Sequence, residues 1–189
     1  MNKLRSYFAM FFVPSLLLCG SPLPAQAPEL SEDFQTKLRF MRAEILLPLD
    51  SDYHMRSQRP DEFQPFDLGM ESRKEKMEIL YVAYPQLDDY WAANYPHILA
   101  ARTAAHTASN AEDSYMTQLS LGKKELKAFN ADWGVEYVYS PKSQVTAHRY
   151  GKLLVLYKEG RGALLIFFFF DDPDNEAIDS RYEGVIFNG

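Results

Sequence analysis

Residues 152–170 read KLLVLYKEGRGALLIFFFF. Two β-rich apolar runs, 152–158 and 163–170, are joined by Glu159-Gly160-Arg161-Gly162. Such runs around a short glycine-containing loop predict a β-hairpin. Neither arm alternates polar with apolar residues. Apolar side chains fill successive positions, so both faces of each strand need cover. The octet ALLIFFFF would be an aggregation hazard if exposed. It is therefore expected near the centre of a sheet, with layers above and below.

Working outward, 77–84 (MEILYVAY) reads as another strand apolar on both sides, ended by Pro85. Residues 135–139 alternate as a strand before Pro141, and 114–119 read as a strand or a turn. Residues 98–108 are alanine-rich and helical. Ser120 is placed to cap a helix running to Asn130, with Leu126, Phe129 and Trp133 on one face and Gly134 as its left-handed closing residue. Ser31-Glu32-Asp33 reads as a helix start, followed by a stripe of Phe34, Leu38, Met41 and Ile45. The stretch 43–49 reads equally as a strand. Residues 50–69 hold Pro60 and Pro65 among polar side chains and read as an irregular crossing. Asp174 opens a short helix carrying Ile178 and Tyr182, Gly184 ends it, and 185–187 form a last short strand. The sum is an α+β domain: a central antiparallel sheet with helices on both faces, an α/β/α three-layer sandwich.

This order of elements resembles the Mog1/PsbP-like α+β domain of exported bacterial proteins. The resemblance is carried by ILLPLDSDY (45–53), EILYVAYPQ (78–86), the helix before FNADWG (129–134) and LLVLYKEGRGALLIFFFFDDP (153–173), and covers most of 38–187. It implies a mostly non-catalytic binding or assembly protein, requires an early strand at 43–49, and carries over no site residue.

Residues 1–25 carry Lys3 and Arg5, then the apolar run YFAMFFVPSLLLC (7–19), then Gly20, Pro22, Pro24 and small residues. That order is the anatomy of a cleavable secretory signal. The run is shorter than the roughly 20 residues needed to span a bilayer. Cleavage after Ala25 is favoured, because a cut after Ala27 would put Pro28 at the scissile bond. A lipid anchor at Cys19 is possible but not favoured, since Leu18 is large for a lipoprotein signal. The expected product is one globular domain, 26–189, exported to the periplasm or beyond. Cleavage removes two cations and no acid, so the formal charge moves from −6 to −8. So acidic a domain lacks the footprint of a nucleic-acid binder and is poorly suited to anionic lipid. Cys19 is the only cysteine, so no intrachain disulfide exists.

No catalytic constellation emerges. His54, His97, His106 and His148 are scattered, with no H-E-x-x-H and no paired cysteines, so no metal site is expected. There is no G-x-S-x-G elbow. Gly160-x-Gly162 lies in a hairpin turn with no helix after it, so it is no phosphate cradle. Asp171, Asp172 and Asp174, with Glu176 and Asp179, form an acidic cluster whose spacing departs from a calcium loop. The richest stretch is 88–97, DDYWAANYPH, in which Tyr90, Trp91, Tyr95 and His97 are candidate recognition residues. The expected function is a non-catalytic exported domain that binds a protein or cell-envelope component, without a cofactor. Two alternatives are a hydrolase of envelope polysaccharide using carboxylates near Trp133 (Glu125, Asp132, Glu136) or at 171–179, and a carrier of a small apolar ligand.

Overall fold

The computed structural model describes residues 30–48, 50–87 and 95–189. The export segment, Cys19, Tyr90 and Trp91 lie outside them. In chain order the elements are α1 (Glu32–Met41), β1 (Ala43–Ile45), β2 (His54–Arg56), β3 (Leu68–Ser72), β4 (Met77–Pro85), α2 (Pro96–Thr107), β5 (Met116–Ser120), α3 (Lys123–Phe129), β6 (Trp133–Tyr139), β7 (Tyr150–Lys158), β8 (Gly162–Phe170), α4 (Ala177–Tyr182) and β9 (Val185–Phe187).

Seven strands form one antiparallel sheet in the order β2-β3-β4-β8-β7-β6-β5, and β1 pairs with β9 in a separate ribbon. The protein is thus an α+β fold. The β7–β8 hairpin is as expected: Lys158 pairs with Gly162 and Tyr150 with Phe170. β8 is the fourth of seven strands, and every one of its residues is buried. Both glycines of the turn have positive φ, Gly160 at 70° and Gly162 at 128°. Gly162 lies against the neighbouring strand, where a Cβ would stand 2.1 Å from the Tyr84 carbonyl oxygen, so only glycine fits.

Alternate residues of β4, β7 and β8 divide between two hydrophobic clusters. The first holds Ile79, Tyr81, Leu154, Ile166 and Phe168 with Phe34, Leu38 and Met41 of α1, Phe129 of α3, Ile178 of α4, and Val185 and Phe187 of β9. The second holds Leu80, Val82, Val155, Leu165 and Phe167 with Leu99, Ala100 and Ala104 of α2. Small alanines let α2 approach the sheet closely. Burying each phenylalanine of β8 contributes about 1.5–3 kcal/mol.

Several local expectations resolve differently. Residues 32–45 are both helix and strand. Ser31 Oγ accepts the Phe34 amide at 3.3 Å, α1 runs to Met41, left-handed Arg42 (φ 48°) turns the chain, and β1 follows. The 50–69 crossing contains the three-residue β2, which pairs with β3 despite its mostly exposed side chains. The helix after β5 is shorter than expected. Ser120 belongs to β5, and the Gly122 amide donates to Glu125 Oε2 at 2.6 Å to start α3. Asn130, not Gly134, is the left-handed closing residue (φ 52°). Gly134 and Trp133 lie in β6, where Trp133 packs on the second cluster and Phe129 on the first. Glycine at 134 instead makes room for Leu121, whose Cδ1 would stand 2.6 Å from a Cβ there.

Candidate functional site

Of the recognition candidates, the described pair Tyr95 and His97 lie at the start of α2. Tyr95 is half exposed and precedes Pro96, the first helical residue; His97 is exposed. Ile98, also exposed, follows them on α2.

The acidic cluster is split. Asp171 holds the loop before β7: its Oδ1 accepts the Arg149 amide at 3.1 Å, and its Oδ2 lies 3.1 Å from His148 Nδ1. Asp172 Oδ1 accepts the Asp174 amide at 3.0 Å, tightening the turn after β8. Asp174 is exposed at the rim of a groove. Among the described residues no three His, Cys, Asp or Glu side chains gather as a metal site.

That groove, about 360 Å³, is the better-formed candidate. Its floor is formed by β6, β7 and β8 on the first-cluster side, built from Val138, Tyr150, Lys152 and Phe170, with Tyr115, just before β5, at one side. Pro173, Asp174, Glu176 and Asp179, from the turn and from α4, form the opposite rim. The Tyr150 and Phe170 rings stack at 5.9 Å. Strand alternation brings Lys152 up among them. Its ammonium sits 3.5 Å from Glu136 Oε1 and 5.3 Å from the Tyr182 ring centre, between a buried carboxylate and an aromatic face. Burial, and then the Glu136 carboxylate, pushes the Tyr182 hydroxyl well above the ordinary tyrosine range. The groove thus combines flat aromatic surface, one fixed cation and an acidic rim.

A second concentration of charge lies on the other side of the sheet. Glu78 projects with Leu80 and Val82, and burial raises its carboxyl above the ordinary value of 4.5 against the pull of Arg56. Its Oε2 accepts the Thr146 hydroxyl at 3.0 Å. Arg56 Nε approaches Glu78 Oε1 at 2.9 Å while Arg56 Nη2 holds Glu62 at 2.8 Å. The Nε approach falls short of hydrogen-bond geometry, and among the described residues Glu78 Oε1 and Arg56 Nη1 have no hydrogen-bond partner. A depression of about 300 Å³ beside them is lined by Arg56, Arg59, Glu71, Glu78, Thr146 and His148.

The carboxylates near Trp133 are each engaged separately. Asp132 accepts Lys158 at 3.0 Å and the Glu159 amide at 2.9 Å. Glu125 caps α3, and Glu136 faces Lys152. Sequence reasoning missed Lys152, Tyr150, Glu78 and Arg56. The signal was a charged residue inside an otherwise apolar strand, as in MEILYVAY and KLLVLYK. Such residues are rarely buried without a partner, but the partners come from distant segments. Comparison with protein-family models, with curated proteins and with solved structures returned no match.

Proposed function

We propose that this is an exported, non-catalytic domain that binds a protein or cell-envelope component, and that the Tyr115–Tyr150–Lys152 groove is its recognition surface. We read the two hydrophobic clusters as the two sides of an α/β/α sandwich of the kind the Mog1/PsbP-like resemblance implies, with export directed by residues 1–25. The observation that carries the binding reading is the groove: aromatic side chains supply rigid contact area at low entropic cost, and Lys152 opposite the Asp174–Glu176–Asp179 rim can orient a ligand carrying both charge signs. The test compares pull-downs from the producing cell's envelope by the exported chain and by a Tyr115→Ala, Asp174→Lys double variant. Both substitutions are at exposed positions. The variant is expected to lose the captured component while its melting temperature stays within a few degrees. Equal capture by both proteins removes the groove from consideration.

The hydrolase reading draws support from Glu78, whose carboxyl burial shifts upward beside a cavity, the direction a general acid requires. Its Arg56 ion pair weighs the other way. Release of soluble sugar from purified envelope polysaccharide, abolished by Glu78→Gln in a folded protein, is the result that would favour it.

A further inference from the structure

We propose that two copies of this chain pair edge to edge through β5, antiparallel and centred on Gln118, extending the sheet across a two-fold axis. The proposal does not rest on the groove reading.

β5 is the last strand of the seven, with β6 on one side only. The Leu121 amide donates to the Gly134 carbonyl at 3.2 Å and the Ser140 amide to the Tyr115 carbonyl at 3.0 Å. In an antiparallel ladder hydrogen-bonded residues alternate, so Tyr115, Thr117, Leu119 and Leu121 face β6. Met116, Gln118 and Ser120 direct their N–H and C=O groups outward. All five residues of β5 are exposed, with Met116 and Leu119 each half exposed. Exposed edges in monomers are usually blunted by charge, proline or a bulge. MTQLS contains no charged residue and no proline, and its register with β6 is unbroken from Met116↔Tyr139 to Ser120↔Val135.

The flanks say which strand fits. Glu112 and Asp113 precede β5; Lys123 and Lys124 follow it. All four are exposed, and no ion pair involves them among the described residues. In an antiparallel second copy centred on Gln118, the acidic flank of each strand lies against the basic flank of the other. The same register sets Met116 opposite Ser120 and Gln118 opposite Gln118, the residues whose backbone groups point outward. Each such pair exchanges two hydrogen bonds. A parallel partner would set like charges together at both ends. Two short strands bury less than the roughly 1,200 Å² of a standard interface, so the dimer is a reversible one.

Sedimentation velocity on the exported chain over a wide concentration range tests this directly. A monomer–dimer equilibrium is expected. Lys123→Glu with Lys124→Glu should weaken association at least tenfold, and adding Glu112→Lys with Asp113→Lys to that variant should restore it. Gln118→Pro, which removes an outward N–H, should also weaken association at least tenfold. Amide exchange gives a readout without substitution: the Met116, Gln118 and Ser120 amides should slow as concentration rises, while Thr117 and Leu119 stay constant. A chain monomeric throughout overturns the proposal. So does a dimer insensitive to these changes, or one that the double charge reversal fails to restore.

Discussion

β8 and β5 belong to one sheet and have opposite environments. Every residue of GALLIFFFF is buried, and every residue of MTQLS is exposed. β8 has strands on both sides and side chains packed in both hydrophobic clusters; β5 has one neighbour and little cover. The difference shows where this chain keeps its stability and where it leaves surface for association. A segment as sticky as ALLIFFFF is tolerable because the centre of the sheet hides it. A segment as open as MTQLS is tolerable because it is short and only two of its five residues are apolar.

The largest effect is expected at β8. Phe168→Ala empties a fully buried site and should cost about 3–5 kcal/mol, read by denaturant unfolding. Gly162→Ala should be of similar size, whereas Gly160→Ala, with nothing within 4 Å of its Cβ position, should cost only about 1–2 kcal/mol. Equal losses at the two glycines would contradict the close approach of Gly162 to β4. Both severe variants should also aggregate on heating, because unfolding uncovers the octet.

A middle-sized effect is expected at Arg181, which ties α4 to the rest of the fold. Its guanidinium reaches Glu75 at 2.7 Å and Asp50 at 2.8 Å, and Tyr53 donates to Glu75 at 2.8 Å. Arg181→Met leaves the Glu75 carboxylate short of donors in a largely buried position and should cost about 1–3 kcal/mol. Burial alone would raise Glu75, but hydrogen bonds from Arg181 and Tyr53 hold it below 4.5. Its contribution is therefore complete above that value and disappears as pH falls through the lowered one. The Arg181→Met protein should lose less stability on acidification than the parent. Glu78 has the opposite sign: its contribution is present below 4.5 and disappears as pH rises through its raised value.

The smallest effect is expected at β5. Leu119→Lys should change the stability of the monomer by no more than about 0.5 kcal/mol in either direction. A larger loss that grows with protein concentration would mean that β5 is covered by a second copy, which would sharpen the pairing argument.

The legible parts of the fold were those in which one local signal suffices. The β7–β8 hairpin follows from two apolar runs and a glycine turn. The start of α1 follows from Ser31, and the β4 strand from an apolar run ended by proline. Illegible parts depended on distant neighbours. β2 is a strand because β3 offers it a ladder, not because HMR has any pattern. Gly134 looked like a helix terminus but serves close packing against Leu121. The candidate site was less legible still. Tyr115, Tyr150, Lys152 and Asp174 are spread over 60 positions of sequence, and nothing local says that they meet.

The chain's own order of residues determined that 163–170 must be covered on both sides, since apolar area at consecutive positions cannot all face one way in a strand whose side chains alternate. Tertiary structure alone decided what faces what. It set Lys152 beside Glu136, Arg56 between Glu62 and Glu78, and β5 at the margin, because strand order and register join segments whose sequences carry no mark of each other.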